Sequence, residues 1–372
     1  MKYDKKDLFC DYLSLNSILE HAQDYRLNAQ TWVYLFTLSK NELNEFDRAI
    51  LTINKTCRIT RNSYSPYTLH KPFPSARSYY PERVWISLGK GHFLSYFEND
   101  DSYKVYYNEE AKEVEAASVL LSTEDIQVAH YRAIHNSLIT LELGHIIYNI
   151  ECIFNIFGFS ILVDSLSMKR YIIIQKGESV EDNLTFKNLV EVKRLFQLRS
   201  SGSYRYKLIN LDNDFTNYQY TPAINLETSF KKLFASQLKG IIQRVVLYNN
   251  GEYFTDSNGE YIVQFFELNR EYYFVDFRTA SQYTLLLIKL PPIQDELIDY
   301  ILFMGYLAQE ICINNAGLGR YNRPVKQVNF TFWKNILGDK YKDFLPFYGV
   351  ITGKESVLSG KREVVYDDEE NS

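Results

Sequence analysis

Closely spaced cysteines are missing from this sequence of 372 residues. The four cysteines stand far apart, at Cys10, Cys57, Cys152 and Cys312, and none belongs to a CxxC or Cys/His pattern. Structural zinc sites and disulfide frameworks need such spacings. The sequence therefore predicts no metal site and no fold that depends on disulfide bonds.

Basic tracts and export or membrane signals are missing as well. The net charge is −5, which argues against nucleic acid as the main partner. The N-terminal residues MKYDKKDLFCDYLSLN contain no apolar stretch followed by a small-residue cleavage site. The most apolar region, 146–163, is interrupted by Asn149, Glu151, Asn155 and Gly158, which is typical of a buried helix followed by a strand. We therefore expect a cytoplasmic protein that does not span the membrane.

Aromatic residues, in contrast, are abundant, with 31 Tyr and 24 Phe. An aromatic excess is found in sites for planar ligands or peptides, but packing in the core and at interfaces is the commoner cause. The length is about twice that of a common domain, which favours two domains or one large intertwined unit.

The hydrophobic pattern of the first half predicts a helical segment, then strands, then one long helix. Residues 1–50 form the N-terminal helical segment, because apolar residues recur at helical spacing up to 32–38. A loop with several prolines follows. The further elements are strands at 83–88, 93–97 and 103–107, a helix at 130–157, and strands at 159–163 and 170–175.

A polar stretch at 176–188 is the best boundary in the sequence, and the same order of elements repeats after it. The predicted elements are a helix at 189–197, strands at 244–248, 261–268, 272–276 and 285–290, and a helix at 296–316. This predicts an internal duplication with a repeat of about 165–175 residues. The two halves are 51–178 and 189–356, and the acidic end, 357–372, is expected to be disordered.

Four local motifs point to chemistry, and each also has an ordinary structural explanation. Arginines beside hydroxyls can grip a phosphate, but they also occur in solvated loops. A Pro-Ser-Ala turn lets the backbone approach a planar ligand. Glu142 and His145 share a helix face, as an acid/base pair would. A satisfied structural histidine is the better interpretation of His145. A Gly-Leu-Gly helix end followed by arginine suits an anion or a plain helix cap. The motifs are Arg58–Ser63 with Arg199–Arg205, Pro74–Ala76, Leu141–His145 and Gly317–Arg320.

Together these motifs resemble the azoline dehydrogenases of thiazole/oxazole-modified microcin biosynthesis, which belong to the nitroreductase superfamily. The order of an Arg-rich loop, a PSA…YP loop and a YR…LELGH helix carries the resemblance in the first half. In the second half, Gly305, Gln309 and Gly317-Leu-Gly319 match the superfamily pattern GxxxQ…GLG. The resemblance covers residues 50–355.

The resemblance implies FMN bound between two protomers, here replaced by the two halves of one chain. The ring-contacting loop comes from one half, and the phosphate-binding residues come from the other. Because the second half has no clear PSA loop, the resemblance implies one intact site and one decayed pseudo-site. The implied FMN ligands are Arg58, Arg61 and Ser63 in the first half, Pro74, Ser75 and Ala76 in the ring-contacting loop, Arg199, Ser201 and Arg205 in the second half, and Gly317, Gly319 and Arg320 after the last long helix.

One departure from the family pattern concerns the catalytic residues. The azoline dehydrogenases carry a Lys-Tyr pair where this chain has His130-Tyr131. In their chemistry a base removes a ring proton while a hydride passes to the flavin. A histidine titrates near neutral pH and can serve as that base, so His130 and Tyr131 are the candidate catalytic residues. The replacement is equally compatible with an inactive or repurposed enzyme.

The sequence thus predicts an α+β fold, in which tandem nitroreductase-like halves form an intramolecular pseudo-dimer. The predicted function is FMN-dependent oxidation of azolines to azoles in a ribosomally made peptide, within a modification complex that contains a cyclodehydratase. Two alternatives stay open: another flavin reaction that uses NAD(P)H, and a peptide-binding scaffold without flavin. The absence of a GxGxxG motif weighs little between them. Further homo-oligomerisation is left open.

Overall fold

The structure is a computed structural model that describes most of the chain from Trp32 onward. The described residues are 32–38, 60–62, 69–71, 73–75, 82–97, 102–123, 135–165, 172–179, 188–199, 226–234, 242–272, 275–289, 297–326, 328–354 and 362–364.

The described elements are sixteen strands, six α-helices and three short 3₁₀ helices. The strands are β1 Val33–Leu38, β2 Thr60–Asn62, β3 Leu69–His70, β4 Glu82–Gly89, β5 His92–Phe97, β6 Ser102–Tyr107, β7 Val119–Thr123, β8 Phe159–Asp164, β9 Ile172–Ser179, β10 Ile242–Asn249, β11 Tyr253–Thr255, β12 Ile262–Gln264, β13 Ala280–Lys289, β14 Arg320–Val325, β15 Phe344–Lys354 and β16 Arg362–Val364. The helices are α1 His135–Ile156, α2 Leu189–Leu198, α3 Leu226–Phe234, α4 Phe265–Glu271, α5 Leu297–Ala316 and α6 Phe330–Leu337.

Two antiparallel sheets follow the same plan. The first has the order β1-β6-β5-β4-β7-β9-β8, and the second has the order β12-β11-β10-β13-β15-β14. If β4–β9 are matched in chain order to β10–β15, the two orders agree strand for strand, and β1 is an addition to the first sheet. A long helix lies between the fourth and fifth matched strand in both, as α1 and α5.

Each sheet has one face on a helical layer that both sheets share. Side chains alternate along a strand, so neighbouring residues reach different cores. Leu286 and Ile288 of β13 join the shared core, whereas Leu285 and Leu287 join a separate core on the outer face. The same alternation in β4 sends Trp85 outward, where it stacks on Trp32 with ring centroids 3.8 Å apart.

Helices α1 and α5 pack against each other at two glycines. A Cβ on Gly144 would clash with the Leu302 carbonyl oxygen and lie 2.9 Å from the Gly305 Cα. A Cβ on Gly305 would clash with the Leu141 carbonyl oxygen and lie 3.1 Å from the Gly144 Cα. Both glycines are therefore required by the close approach of the two backbones. The two contacts mirror each other, because both residue pairs are 161 positions apart.

Apolar side chains cover nearly the whole circumference of α1, which is why the helix is buried in the core. Among the described residues, one segment, Ser137–Ile156, is long and apolar enough to cross a membrane, with a mean hydropathy of 1.2, but 89% of this window is buried inside the protein. Helix α3 of the second half crosses over to pack against β8 of the first half. Its Phe230 ring lies 5.3 Å from Tyr300 and 5.2 Å from Phe303, measured between centroids.

Two expectations for the ends of the chain are wrong where the structure describes them. Residues 33–38, predicted as part of a helical segment, form the edge strand β1, which pairs antiparallel with β6. Its Val, Tyr, Phe and Thr residues favour an extended backbone, and this preference outweighs the helical spacing. Residues 362–364, predicted as disordered tail, form β16, which pairs with β2. The other residues of 1–50 and 357–372 lie outside the described part.

Two predicted strands of the second half are also corrected. Region 261–268 is a strand only over β12, after which the backbone turns into α4. The turn is stabilised by a capping box, in which the Gln264 N–H donates to Glu267 Oε2 at 3.2 Å. Region 272–276 is not a strand where it is described: Tyr272 ends α4, and β13 begins only at Ala280. The buried Tyr272 hydroxyl instead bonds Tyr283 at 2.7 Å.

We predict that Gly144→Ala and Gly305→Ala each destabilise the protein by about 1–3 kcal/mol, because the new methyl group forces the helices apart. Without the close contact, the same change in a helix would stabilise the protein by about 1 kcal/mol. The sign of the change in the free energy of unfolding therefore shows whether the helices touch at these glycines. The measurement is the free energy of unfolding in urea. The double variant is expected to lose less than the sum of the two, since one separation relieves both clashes.

Candidate functional site

Arg199 is buried between the two long helices and the second sheet. It is the residue that ends α2, where its backbone N–H donates to the Leu195 carbonyl oxygen at 3.0 Å. Its side chain is only 7% exposed. Burial raises the pKa of Cys312 to about 11, although the Arg199 charge and its hydrogen bond to the thiol oppose the rise. The same charge adds to the effect of burial in lowering the pKa of His145. Arg199 therefore places a positive charge beside Cys312 and His145.

His145 connects the first half to the second. Its Nε2 lies 3.0 Å from the Tyr348 hydroxyl of β15, and both side chains are buried. Burial and the Arg199 charge hold the pKa of His145 well below its usual value, and the neighbouring Gln309 side chain opposes the shift. The histidine is therefore neutral at pH 7.

Arg320 lies where α5 ends and β14 begins. The helix stops at Gly317-Leu318-Gly319, and Gly319 takes a left-handed conformation with φ +69°. Arg320 is 8% exposed, and its Nη1 donates to Ser281 Oγ at 2.9 Å. Ser281 in turn donates to the Thr352 carbonyl oxygen at 3.2 Å. Burial lowers the pKa of Arg320, which still leaves the guanidinium charged.

The two arginines belong to elements that meet at the C-terminal end of α5. A Cβ on Gly317 would lie 3.0 Å from a Leu195 methyl group of α2, so the absence of a side chain there lets α2 approach. The Asn322 amide of β14 donates to the Cys312 carbonyl oxygen at 3.3 Å and thereby fixes β14 to α5. Arg199 and the Gly317–Arg320 segment thus flank one helix end.

The Pro74–Ser75 segment reaches the same interface from the first half. Ser75 is hydrogen-bonded to Glu142 of α1, and Glu142 also contacts Glu82 of β4. The Glu82 carboxylate pairs with Lys71 at 3.0 Å. Burial raises the pKa of Tyr348, and Glu142 raises it further whereas Arg199 lowers it, so both lie near its hydroxyl. These buried residues form what we name the interface cluster: Glu82, Glu142, His145, Arg199, Cys312 and Tyr348.

On the other side of the helix crossing lies a buried acid, Glu151. The Tyr306 hydroxyl donates to Glu151 Oε2, and Lys232 of α3 lies 3.7 Å from Glu151 Oε1. Burial raises the pKa of Glu151, and Tyr306 and Lys232 oppose the rise. Glu151 is 161 positions before Cys312 and so occupies the place in α1 that Cys312 occupies in α5.

Several predicted site residues lie outside the described part of the chain: Arg58, Ser63, Ala76, His130, Tyr131, Ser201 and Arg205. Arg61 is described by its backbone alone, as the middle residue of β2. The sequence interpretation missed Tyr348, Glu82, Cys312 and Ser281. Tyr348 and Ser281 lie within apolar strands, and only their partners across the fold distinguish them. The remaining predictions for these positions stay predictions.

Comparison with known proteins supports the fold. No family model and no curated protein matches the sequence. A solved protein from Anabaena variabilis, classed as a nitroreductase, superposes with a TM-score of 0.55 at 12% identity over 87% of this chain and 90% of its own. A nitroreductase family protein from Clostridium difficile and one classed as a nitroreductase from Ralstonia eutropha each cover 47% of this chain, with 88% and 87% of their own length. Their TM-scores are 0.27, at 12% and 14% identity. The chain therefore has the α+β fold of the nitroreductases.

We predict that acid destabilises the protein through His145. At pH values just below the usual pKa of histidine, His145 stays neutral in the folded protein, whereas it binds a proton in the unfolded chain. Its contribution to stability is therefore complete above about pH 6.5 and is lost as the pH falls, at about 1.4 kcal/mol per pH unit. Urea unfolding between pH 5 and 7.5 should show this slope in the wild type but not in His145→Gln. The exposed His92 offers the control, since His92→Gln should keep the slope.

Proposed function

We propose that this protein is an FMN-dependent oxidoreductase with its flavin site at the interface cluster. The observation that carries the proposal is the pair of buried arginines, Arg199 and Arg320, at one helix end of a nitroreductase fold. Buried guanidiniums are costly unless anions or hydrogen bonds compensate them. A phosphate between α2 and β14 would provide this compensation.

The donor set at this helix end suits a phosphate monoester. Arg320 forms no salt bridge within the described part of the chain, and its guanidinium donates to the Ser281 hydroxyl. Guanidinium groups bind phosphate oxygens through charge-assisted hydrogen bonds. The resemblance adds Ser201 and Arg205, which follow Arg199 directly in the sequence, as further phosphate ligands.

The ring of the flavin is assigned to the Pro74–Ser75 side of the cluster. Pro74 and Ser75 are half-buried, and Ser75 is tied to α1 through Glu142. Bound FMN would supply the acceptor for a two-electron oxidation. The loop and the arginines come from different halves, which is the pairing that the resemblance implies.

The chain is proposed to be a tandem duplication whose halves form an intramolecular pseudo-dimer. The matching strand orders and the mirrored glycine contacts support this proposal. The spacing of 161 between the matched glycines is slightly shorter than the repeat expected from the sequence. Helix α3 of the second half packs against β8 of the first half, which is consistent with two halves that fold together.

The two pseudo-equivalent positions are chemically different, so we propose one flavin for each chain. Cys312 places a thiol beside Arg199, whereas Glu151 places a carboxyl group at the matching position. A phosphate there would meet this buried acid instead of a neutral thiol. Repulsion and desolvation both disfavour such a pair.

We predict that Arg320→Ala and Arg199→Ala weaken FMN binding by about 10-fold to 100-fold each, because a charged hydrogen bond is worth about 1.5–3 kcal/mol. Titration of the apoprotein with FMN, followed by flavin fluorescence, measures the dissociation constant and the stoichiometry, which should be one per chain. Arg278→Ala is the matched control, since this arginine is 61% exposed and paired with Asp276. Normal binding by both site variants would exclude this site, and a wild type without flavin would favour a scaffold.

For the reaction, we propose oxidation of azoline rings to azoles in a ribosomally made peptide. The chain's base would remove the proton from the ring carbon next to nitrogen, and bound FMN would supply the two-electron oxidation that makes the ring aromatic. His130 and Tyr131 are the proposed base and its neighbour, on the strength of the motif. A peptide substrate, a cyclodehydratase partner and a cytoplasmic location belong to the same proposal.

We predict that His130→Ala or Tyr131→Phe lowers azole formation by about 10²–10⁴-fold, the usual contribution of a general base. FMN affinity should not change, since neither residue is assigned to the cofactor. Mass spectrometry of an azoline-containing peptide detects the loss of two hydrogens per ring. Wild-type activity should rise between about pH 6 and 7.5 if a histidine is the base. NAD(P)H oxidation without azole formation would instead identify a reductase.

A further inference from the structure

The interface cluster contains two buried carboxyl groups that face each other with one positive charge beside them. Glu142 and Glu82 are 5% and 3% exposed, and their side chains are in hydrogen-bond contact. Neither Glu142 Oε1 nor Glu82 Oε2 meets an N–H or O–H donor among the described residues. Lys71 binds the other Glu82 oxygen. Two carboxylates here would place two negative charges in contact and leave two unsatisfied oxygens in the core.

One proton on Glu142 would turn its contact with Glu82 into a hydrogen bond. A protonated Glu142 donates to Glu82, whose remaining negative charge is balanced by Lys71. Burial, followed by the nearby Glu82, raises the pKa of Glu142 well above its usual value, and Ser75 and Lys71 only partly oppose this. The charged and titratable groups facing Glu142 are Glu82 on β4, Lys71 on the segment before β4, and Tyr348 on β15.

Every second residue of the segment from Lys71 to Ser75 contacts the core. Lys71 pairs with Glu82, Phe73 is 1% exposed in the shared core, and Ser75 bonds Glu142. The first and third contacts both end on the carboxyl pair. The state of that pair therefore controls how the segment is held.

We propose that Glu142 and Glu82 share one proton, and that this carboxyl pair positions Ser75, and with it the Pro74–Ser75 loop, against α1. Glu142 is thus a positioning residue and acts through Ser75. The proposal rests on the proposed function only in that this loop contacts the flavin ring. Proton sharing and loop position are properties of the protein without flavin.

Glu142→Gln and Glu142→Leu separate the proposed role from simple packing. The glutamine amide donates to Glu82 and accepts from Ser75 without a titratable proton, whereas leucine makes neither bond. Glu151→Gln removes another buried acid from the same helix and leaves the Ser75 contact intact. These three variants, with Ser75→Ala, form the test set.

The first measurement is infrared spectroscopy of the flavin-free protein at neutral pH. We expect a protonated-carboxyl band that disappears in Glu142→Gln and persists in Glu151→Gln. A band unchanged in Glu142→Gln would overturn the shared proton. Urea unfolding provides a second readout: the unfolded carboxyl loses its proton near pH 4.5, and the folded one loses it at higher pH. Wild-type stability should therefore fall relative to Glu142→Gln as the pH rises above that value.

The second measurement is hydrogen–deuterium exchange in the peptide that contains Pro74 and Ser75. Exchange should accelerate roughly five- to tenfold in Glu142→Leu and Ser75→Ala, the effect of losing about one hydrogen bond. It should stay at the wild-type rate in Glu142→Gln. Unchanged exchange in Glu142→Leu would overturn the positioning role.

FMN titration of the same variants separates the two proposals. If the loop contacts the flavin, Glu142→Leu should weaken FMN binding about as much as Ser75→Ala does, and Glu142→Gln should bind normally. If the wild type binds no FMN, the proposed function fails, and the infrared and exchange results still decide the carboxyl pair. If FMN binds normally to Glu142→Leu although exchange has accelerated, the loop is positioned by the pair but does not hold the flavin.

Discussion

The crossing of α1 and α5 at Gly144 and Gly305 is the contact on which the rest of the molecule depends. Only without side chains can these backbones approach until each glycine faces the carbonyl oxygen of a leucine in the other helix. This distance brings Asn149 within 2.9 Å of Gln309 and lets His145 reach Tyr348 on the far sheet. It also lets the two sheets share one core. A small separation would open all of these polar contacts together, since hydrogen bonds tolerate little stretching.

The interface that this crossing creates is chemically asymmetric although its framework is nearly symmetric. One side of the helix crossing contains Arg199, His145 and Tyr348, and the other side contains Glu151, Tyr306 and Lys232. Packing constrains every residue of the core, so the two matching backbones share their geometry. Polar side chains at the ends of that core are less constrained. Matching backbones can therefore carry a basic site in one place and an acid in the corresponding place.

The sequence predicted the repeated framework better than the site. The strands at 83–88, 93–97 and 103–107 and both long helices are confirmed, because their hydrophobic patterns are long and regular. The strand β7 was missed because a buried five-residue run lacks a visible period. Arg199 and Arg320 were chosen from motifs, and the structure brings them to one helix end. Tyr348 could not be chosen, since its partner His145 is 203 residues away and no local pattern reports such a contact.

The small sheet β16-β2-β3 ties the far end of the chain to the segment that carries Arg61. Arg362 pairs with Asn62, and Glu363 pairs with Arg61, so the last strand lies beside a residue of the first arginine-rich motif. A chain shortened at the end of β15, on the view that only a tail follows, would remove this neighbour and leave β2 with β3 alone. Isolated two-stranded sheets are marginally stable in water. Residues 362–364 are thus part of the structure that holds the segment at 60–62 in place, and changes in either strand affect the pairing of the other.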